Sequence, residues 1–365
     1  SKLLRLGALL LVGIVPACVA AEDSEGPTKE ELAANADAGK SDGIDWCKVR
    51  DFYGDGDCDR FCENHDQDCP LLGAEPANRR VRYPVIIHHG FAGGHSGVFA
   101  YTGVAEAMQG QATVVQTQVP PFDGVVVRSA ELQRVIDETL RRTGAAKVNI
   151  IAHSLGGLDA RHLISRGGYG DRVASLTTIS TPHQGTRAAD LGLGLVPGFA
   201  SSVVNAVAGV FGAHISDGST SVNVLAALRD LAEANAAERN RLTPDDSRVF
   251  YQSWAGVSTL LGLGRDYADA FTACDGKMMV HPGTMDRARG LFAPIIPVIS
   301  RIGRDPHDGL VTVASSKWGQ FNGCIPADHS DEVGQVTSGS PNPRTSFDHV
   351  RFYKQVADDL SARGF

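Results

Sequence analysis

The stretch Val148 to Gly157, VNIIAHSLGG, constrains this chain more than any other. An apolar run stops at a serine held among small residues, and two glycines follow. That is the layout of a nucleophile elbow, in which serine occupies a strained strand-to-helix corner and small neighbours let the backbone fold tightly on both sides. Ala152 and Gly156 fill the small places, and His153 and Leu155 are the variable positions. Ala152 stands where glycine is usual, a substitution that a methyl group satisfies sterically.

Around this corner the pattern is an open α/β sheet, with apolar strands alternating with helical segments. Strands are expected at Val85–His88, Thr113–Thr117, Val148–Ala152, Leu176–Ser180 and Arg248–Trp254. Leu132, Val135, Ile136 and Leu140 recur at helical spacing and predict a helix that lays one apolar face on the sheet just before the serine strand. Residues 348–365 predict a terminal helix carrying Val350, Tyr353, Val356 and Leu360 on one side. With 365 residues, 42% of them hydrophobic, the chain can bury a sizeable core. A net charge of −8 argues against nucleic acid or an anionic membrane as an electrostatic partner.

The N-terminal part is organised differently. Residues 1–20 have a basic start (Lys2, Arg5), an apolar run from Ala8 to Val15 and small residues at Ala17 and Ala20, the layout of a secretory signal. Cys18, in VPAC, is alternatively the acylated cysteine of a lipoprotein signal anchored to an outer membrane; both readings place the protein outside the cytoplasm. Residues 21–45 are acidic and polar and read as a flexible linker. Residues 46–70 hold Cys47, Cys58, Cys62 and Cys69, which in an oxidising compartment imply two disulfides with three connectivities. Asp55, Asp57 and Asp59 alternate around Gly56 there, a candidate calcium site, with solvated acidic turns as the alternative. Residues 71–79 read as a second linker, and the main domain covers 80–365, with a sheet-poor stretch at about 190–240 as a candidate lid. Val203, Val204, Val207, Val210 and Phe211 form an apolar stripe at helical spacing within it.

Six ordered segments, YPVIIHHGFAG (from Tyr83), AHSLGG (from Ala152), STPHQG (from Ser180), YQSWAG (from Tyr251), HDGLV (from His307) and HSDEVGQV (from His329), resemble the true lipases of the Burkholderia and Pseudomonas type, within the α/β-hydrolase fold. Acyl transfer by serine needs a base, and the base needs a carboxylate, arriving in this fold in the order Ser, Asp, His. The resemblance implies Ser154, Asp308 and His329 in those roles. His349, in SFDHVRFY, competes for the base but falls in the first turn of the terminal helix. Backbone N–H groups of Phe91 and Leu155 would form the oxyanion hole, with Leu155 standing where the family usually has a polar residue. His88, His89, His153 and His183 are read as neutral structural histidines.

The resemblance further implies a structural Ca2+ held by Asp286, Asp331, Gln335 and the Gly339 carbonyl, with Asp305 as the other candidate for the upstream carboxylate. It implies a disulfide near this loop, for which Cys274 and Cys324 remain. The implied activity is secreted triacylglycerol hydrolysis at an oil–water interface by a monomer, with a periplasmic foldase as an expected partner. Carboxylesterase, phospholipase and acyltransferase are the alternatives within the fold; a non-catalytic surface-binding protein is the alternative outside it.

Overall fold

The computed structural model describes residues 26–34, 44–59, 61–62, 64–94, 99–195, 224–259, 267–279, 285–288, 292–301, 305–335 and 341–365. Residues 1–20, read as a secretory or lipoprotein signal with Cys18, the stripe from Val203 to Phe211 and Gly339 lie outside the described residues.

The strands are β1 (Val85–His88), β2 (Val114–Gln116), β3 (Val148–His153), β4 (Val173–Ile179), β5 (Phe250–Gly256), the two-residue pair β6 (Ser258–Thr259) and β7 (Asp286–Arg287), and β8 (Gln320–Ile325). Six of them form one sheet in the order β2-β1-β3-β4-β5-β8, parallel at every pairing. Every residue of β1, β3 and β4 is buried. Helices cover both faces of such a sheet, so its strands are near-continuous apolar runs rather than alternating ones. Alternate side chains still point to opposite faces. Val85 and Ile87 enter one core cluster and Ile86 the other, and Ile151 is likewise separated from Ile150 and Ala152.

The helices that matter here are α1 (Val125–Thr143), α2 (Leu155–Arg166), α3 (Arg187–Gly192), α4 (Val224–Leu231), α5 (Glu233–Leu242) and α6 (His349–Ala362). The expected stripe on α1 faces the sheet, with Leu132 and Ile136 fully buried beside Ile86 and Ile150 and with Val135 and Leu140 partly buried against them. The helix ends at Gly144, whose left-handed backbone lets its N–H bond to the Leu140 carbonyl. On the other face α6 buries Phe352, Tyr353, Val356 and Leu360, and its N-cap Asp348 accepts from the N–H groups of Val350 and Arg351.

Four readings shift. β4 begins at Val173 rather than Leu176, and β5 runs on to Gly256. β8 was not anticipated, because QFNGCI is interrupted by Asn and Gly and lies at the sheet edge. Residues 71–79 are fastened rather than free: Leu72 is buried in the main core cluster, and its N–H bonds to the Ser346 carbonyl. Further along, Arg351 holds Glu75 and the Gly73 carbonyl, and Asp358 accepts from the N–H groups of Asn78 and Arg79.

In the Cys-rich module the bridges are Cys47–Cys62 and Cys58–Cys69. Part of the expected linker is ordered against it as a helix, Lys29–Ala34. Thr28 and Glu31 form a capping box, Glu31 N–H bonding to Thr28 Oγ1 and Thr28 N–H to Glu31 Oε2. No helix among the described residues is long and apolar enough to cross a membrane.

Candidate active site

β3 delivers Ser154 at its C-terminal end with φ 56° and ψ −132°, a conformation that a non-glycine residue holds only when its surroundings enforce it. Here they do. A Cβ on Gly156 would stand 2.8 Å from the His89 carbonyl oxygen, and one on Gly157 would stand 2.1 Å from Thr181 Oγ1. Only glycine lets α2 start this close to the neighbouring chain.

His329 follows β8, and its Nε2 lies 2.8 Å from Ser154 Oγ while its Nδ1 lies 2.7 Å from Asp308 Oδ2. The second oxygen of Asp308 accepts from the N–H groups of Leu310 and Val311, at 2.8 and 2.7 Å. Burial alone would raise the Asp308 carboxyl, but the His329 charge and these hydrogen bonds outweigh it and hold it below its ordinary value. His349 does not reach the serine's partner position; it occupies the first turn of α6, where Nε2 donates to the Thr102 carbonyl at 2.7 Å. His88, His153 and His183 are buried, and burial pushes each below the ordinary histidine value, favouring the neutral ring.

Phe91 lies in the loop after β1 and lines a small cavity with Ser154 and His329. Leu155 is the first residue of α2, so its N–H has no intrahelical acceptor. The loop before Phe91 is held by Arg128, a fully buried residue of α1 that sequence reading passed over. Its guanidinium donates to the His89 carbonyl, the Pro120 carbonyl and Asp159 Oδ2, and Asp159 also meets His88 Nε2 at 3.0 Å. A second unforeseen group is Glu332, within the quoted HSDEVGQV. It accepts from Ser180 Oγ at 2.6 Å and lies 2.9 Å from His153 Nε2. Burial first, then the nearby Asp308 charge, raises its carboxyl well above the usual range.

The loop bearing His329 also builds a carboxylate cluster. Asp286, Asp328 and Asp331, all buried, place carboxylate oxygens within 4.8 Å of one another, a group that could hold a metal ion. Asp286 and Asp331 were expected there; Asp328 was not, although it adjoins His329 in ADHSDE. Burial, then the Asp328 charge, pushes the Asp286 carboxyl up to about 8. Gln335 Nε2 donates to the Ala100 carbonyl at 2.7 Å and to Thr102 Oγ1 at 3.1 Å, so its oxygens, side-chain and main-chain, are the atoms it could offer such an ion. Asp305 is engaged elsewhere, 3.3 Å from Arg301. Nearby, Cys274 and Cys324 are bridged, tying β8 to residues 267–273. In the Cys-rich module Lys29 Nζ stands 2.6, 3.3 and 2.8 Å from Asp55, Asp57 and Asp59, the three carboxylates of the candidate calcium site.

The cavity over Ser154 has a volume of about 20 Å³, room for about one water molecule. Phe91, Phe99, Leu231, Leu310 and Val311 give it apolar walls. Leu231 ends α4 and Thr186 caps α3, so the start of one helix and the end of the other wall the cavity.

Residues 83–219 match the family model of the α/β hydrolase fold. The chain is 32% identical over 306 residues to a triacylglycerol lipase of Burkholderia plantarii, covering 73% of this chain and 83% of that protein. It is 32% identical over 295 residues to a triacylglycerol lipase of Pseudarthrobacter phenanthrenivorans, covering 70% and 90%. Among solved structures, a metagenomic carboxyl esterase superposes with a TM-score of 0.55 at 13% identity, covering 92% of this chain and 91% of that one, a likeness of fold. The elbow, the parallel sheet and these relatives together mean that the chain belongs to the bacterial triacylglycerol lipase family of the α/β-hydrolase fold and is a carboxylic-ester hydrolase.

Proposed function

We propose that the chain is a secreted triacylglycerol lipase that works through an acyl-enzyme on Ser154. The observation that carries this reading is the unbroken relay from Ser154 Oγ through His329 to Asp308, with both hydrogen bonds under 3 Å and all three residues buried beneath apolar walls. Ser154 Oγ attacks the ester carbonyl as His329 Nε2 takes its proton. Asp308 fixes the Nδ1–H tautomer and stabilises the imidazolium. The N–H groups of Phe91 and Leu155 receive the oxyanion. Collapse breaks the ester C–O bond, and His329 returns the proton to the departing alcohol. Water then attacks the acyl-enzyme with His329 as base and releases the fatty acid.

A cavity of about 20 Å³ admits no acyl chain, so substrate entry calls for a shift of its walls, and Leu231 of α4 gives that helix the part of a lid over an interfacial enzyme. Asp286, Asp328 and Asp331, with the Gln335 carbonyl, fit a hard divalent cation, since three buried carboxylates repel one another until a charge joins them. Bound Ca2+ would neutralise that repulsion and brace residues 328–335, the loop that holds His329. Three disulfides suit the oxidising compartment that secretion implies.

The test is hydrolysis of para-nitrophenyl esters of increasing acyl length and of emulsified triglyceride, by the native chain and by Ser154→Ala. Turnover that rises with chain length and is lost in the variant is the expected result. Activity confined to short soluble esters would move the reading to a carboxylesterase, and turnover surviving in Ser154→Ala would reject the relay.

A further inference from the structure

A second cavity, of about 420 Å³, opens between α1, α2, α4 and α5. Arg161, Arg166, Arg229 and Arg239 line it. Two acids line it as well, but both are engaged: Asp230 accepts from the Val125 N–H, and Glu238 holds Arg241. Arg161 is only 2% exposed. It donates to neutral acceptors, Asn240 Oδ1 and the Thr243 carbonyl, and lies over the Trp318 ring. Arg239 likewise donates to backbone carbonyls. Neither forms an ion pair among the described residues, and the Nε of each has no hydrogen-bond partner there. Burial holds both guanidiniums down to about 10, and Asp245 and Asp230, which act on Arg161 and Arg239 from a distance, offset it only in part. His162, Asn235 and Thr243 add polar atoms to the wall, and its apolar part is Val125 and Leu158 inside with Val126 and Leu242 at the rim, the last two 68% and 41% exposed.

From this we infer that the cavity is a binding site for an acyl-chain anion, with its head among Arg229, Arg239 and Arg161 and its chain along Val126, Leu158 and Leu242. Guanidinium pairs carboxylate and phosphate oxygens in a fixed fork, and the apolar rim separates an amphiphile from a bare anion. The carboxylate form is a fatty acid and the phosphate form a phospholipid fragment. Location gives the site a consequence. Arg229 and Asp230 line it while Leu231, the next residue, walls the Ser154 cavity, so an occupant bears on the same short helix that closes the active site.

The experiment is calorimetric titration of the full chain with decanoate, decyl phosphate and decanol below their micelle concentrations, repeated on Arg229→Gln and Val126→Asp. Both substitutions fall at exposed positions, and circular dichroism checks that each variant is folded. Expected is one equivalent of decanoate bound, weakened about tenfold by either substitution, with decanol at least about tenfold weaker than the anions. Preference for decanoate over decyl phosphate identifies a fatty acid as the occupant, and the reverse identifies a phosphate-headed one. The proposal falls if folded protein shows no saturable binding, if neither substitution alters it, or if inorganic phosphate displaces decanoate at equal concentration. None of these readouts depends on Ser154 turning over an ester.

Discussion

Asp308 orients His329 with one oxygen while two backbone N–H groups hold the other, so the carboxylate cannot swing to take a different partner. Asp308→Asn keeps that shape but lets the amide donate to Nδ1, which inverts the tautomer that His329 needs. Turnover on a saturating ester should fall by about 10⁴ with KM little changed; a loss under tenfold would mean that Glu332, beside it, takes over. The carboxylate cluster gives a second prediction at this scale. A carboxyl raised to about 8 in the folded chain binds a proton that the unfolded chain releases near pH 4, so between those limits folding stability declines as pH rises. With chelator present, the thermal midpoint should therefore drop steadily from pH 5 to pH 8. Added Ca2+ should restore it, and by most at the alkaline end. Midpoints that ignore calcium at pH 8 would remove the cation from Asp286, Asp328 and Asp331.

At the level of elements, the parallel strands were legible because burial on both faces leaves them as apolar runs, and Ser154 was legible because close approach at Gly156 and Gly157 demands glycine. β8 was not, since Asn322 and Gly323 interrupt its apolar residues at the edge of the sheet. Arg128, Asp159, Asp328 and Glu332 stayed hidden for another reason. Buried charged residues show themselves only through partners that the fold brings from far along the chain, such as Glu332 to His153 and Arg128 to the His89 carbonyl. β8 leads into the His329 loop, and the Cys274–Cys324 bridge, across 50 residues, adds a covalent tie to the backbone bonds that hold its end. A loop of that length corresponds to about 4 kcal/mol of restricted unfolded-state entropy. Cys274→Ser with Cys324→Ser should lower stability by about that amount in urea titration. An unchanged midpoint would mean that packing of Ala255, Val257 and Phe321 around the bridge holds β8 without it.

Across the whole molecule, the boundary between module and hydrolase is set by Leu72 rather than by composition. The residues after Cys69 look like a linker, yet Leu72 is 7% exposed and its N–H is bonded to Ser346 just before α6, while Asp358 and Arg351 fasten the following residues along that helix. The catalytic fold thus begins structurally near residue 71, and the disulfide module stands before it with its own bridges and its own ion cluster around Lys29. Two shortened chains separate these parts. One that begins at residue 71 should hydrolyse esters within about twofold of the full chain, because no described element of the relay is lost. One that begins at residue 79 uncovers the Leu72 pocket and should lose about 2 kcal/mol, the burial of one leucine. Urea midpoints measured beside ester turnover decide between them. Equal stability of the two would place the boundary back at Arg80, whereas loss of turnover in the longer chain would make the Cys-rich module part of the working enzyme.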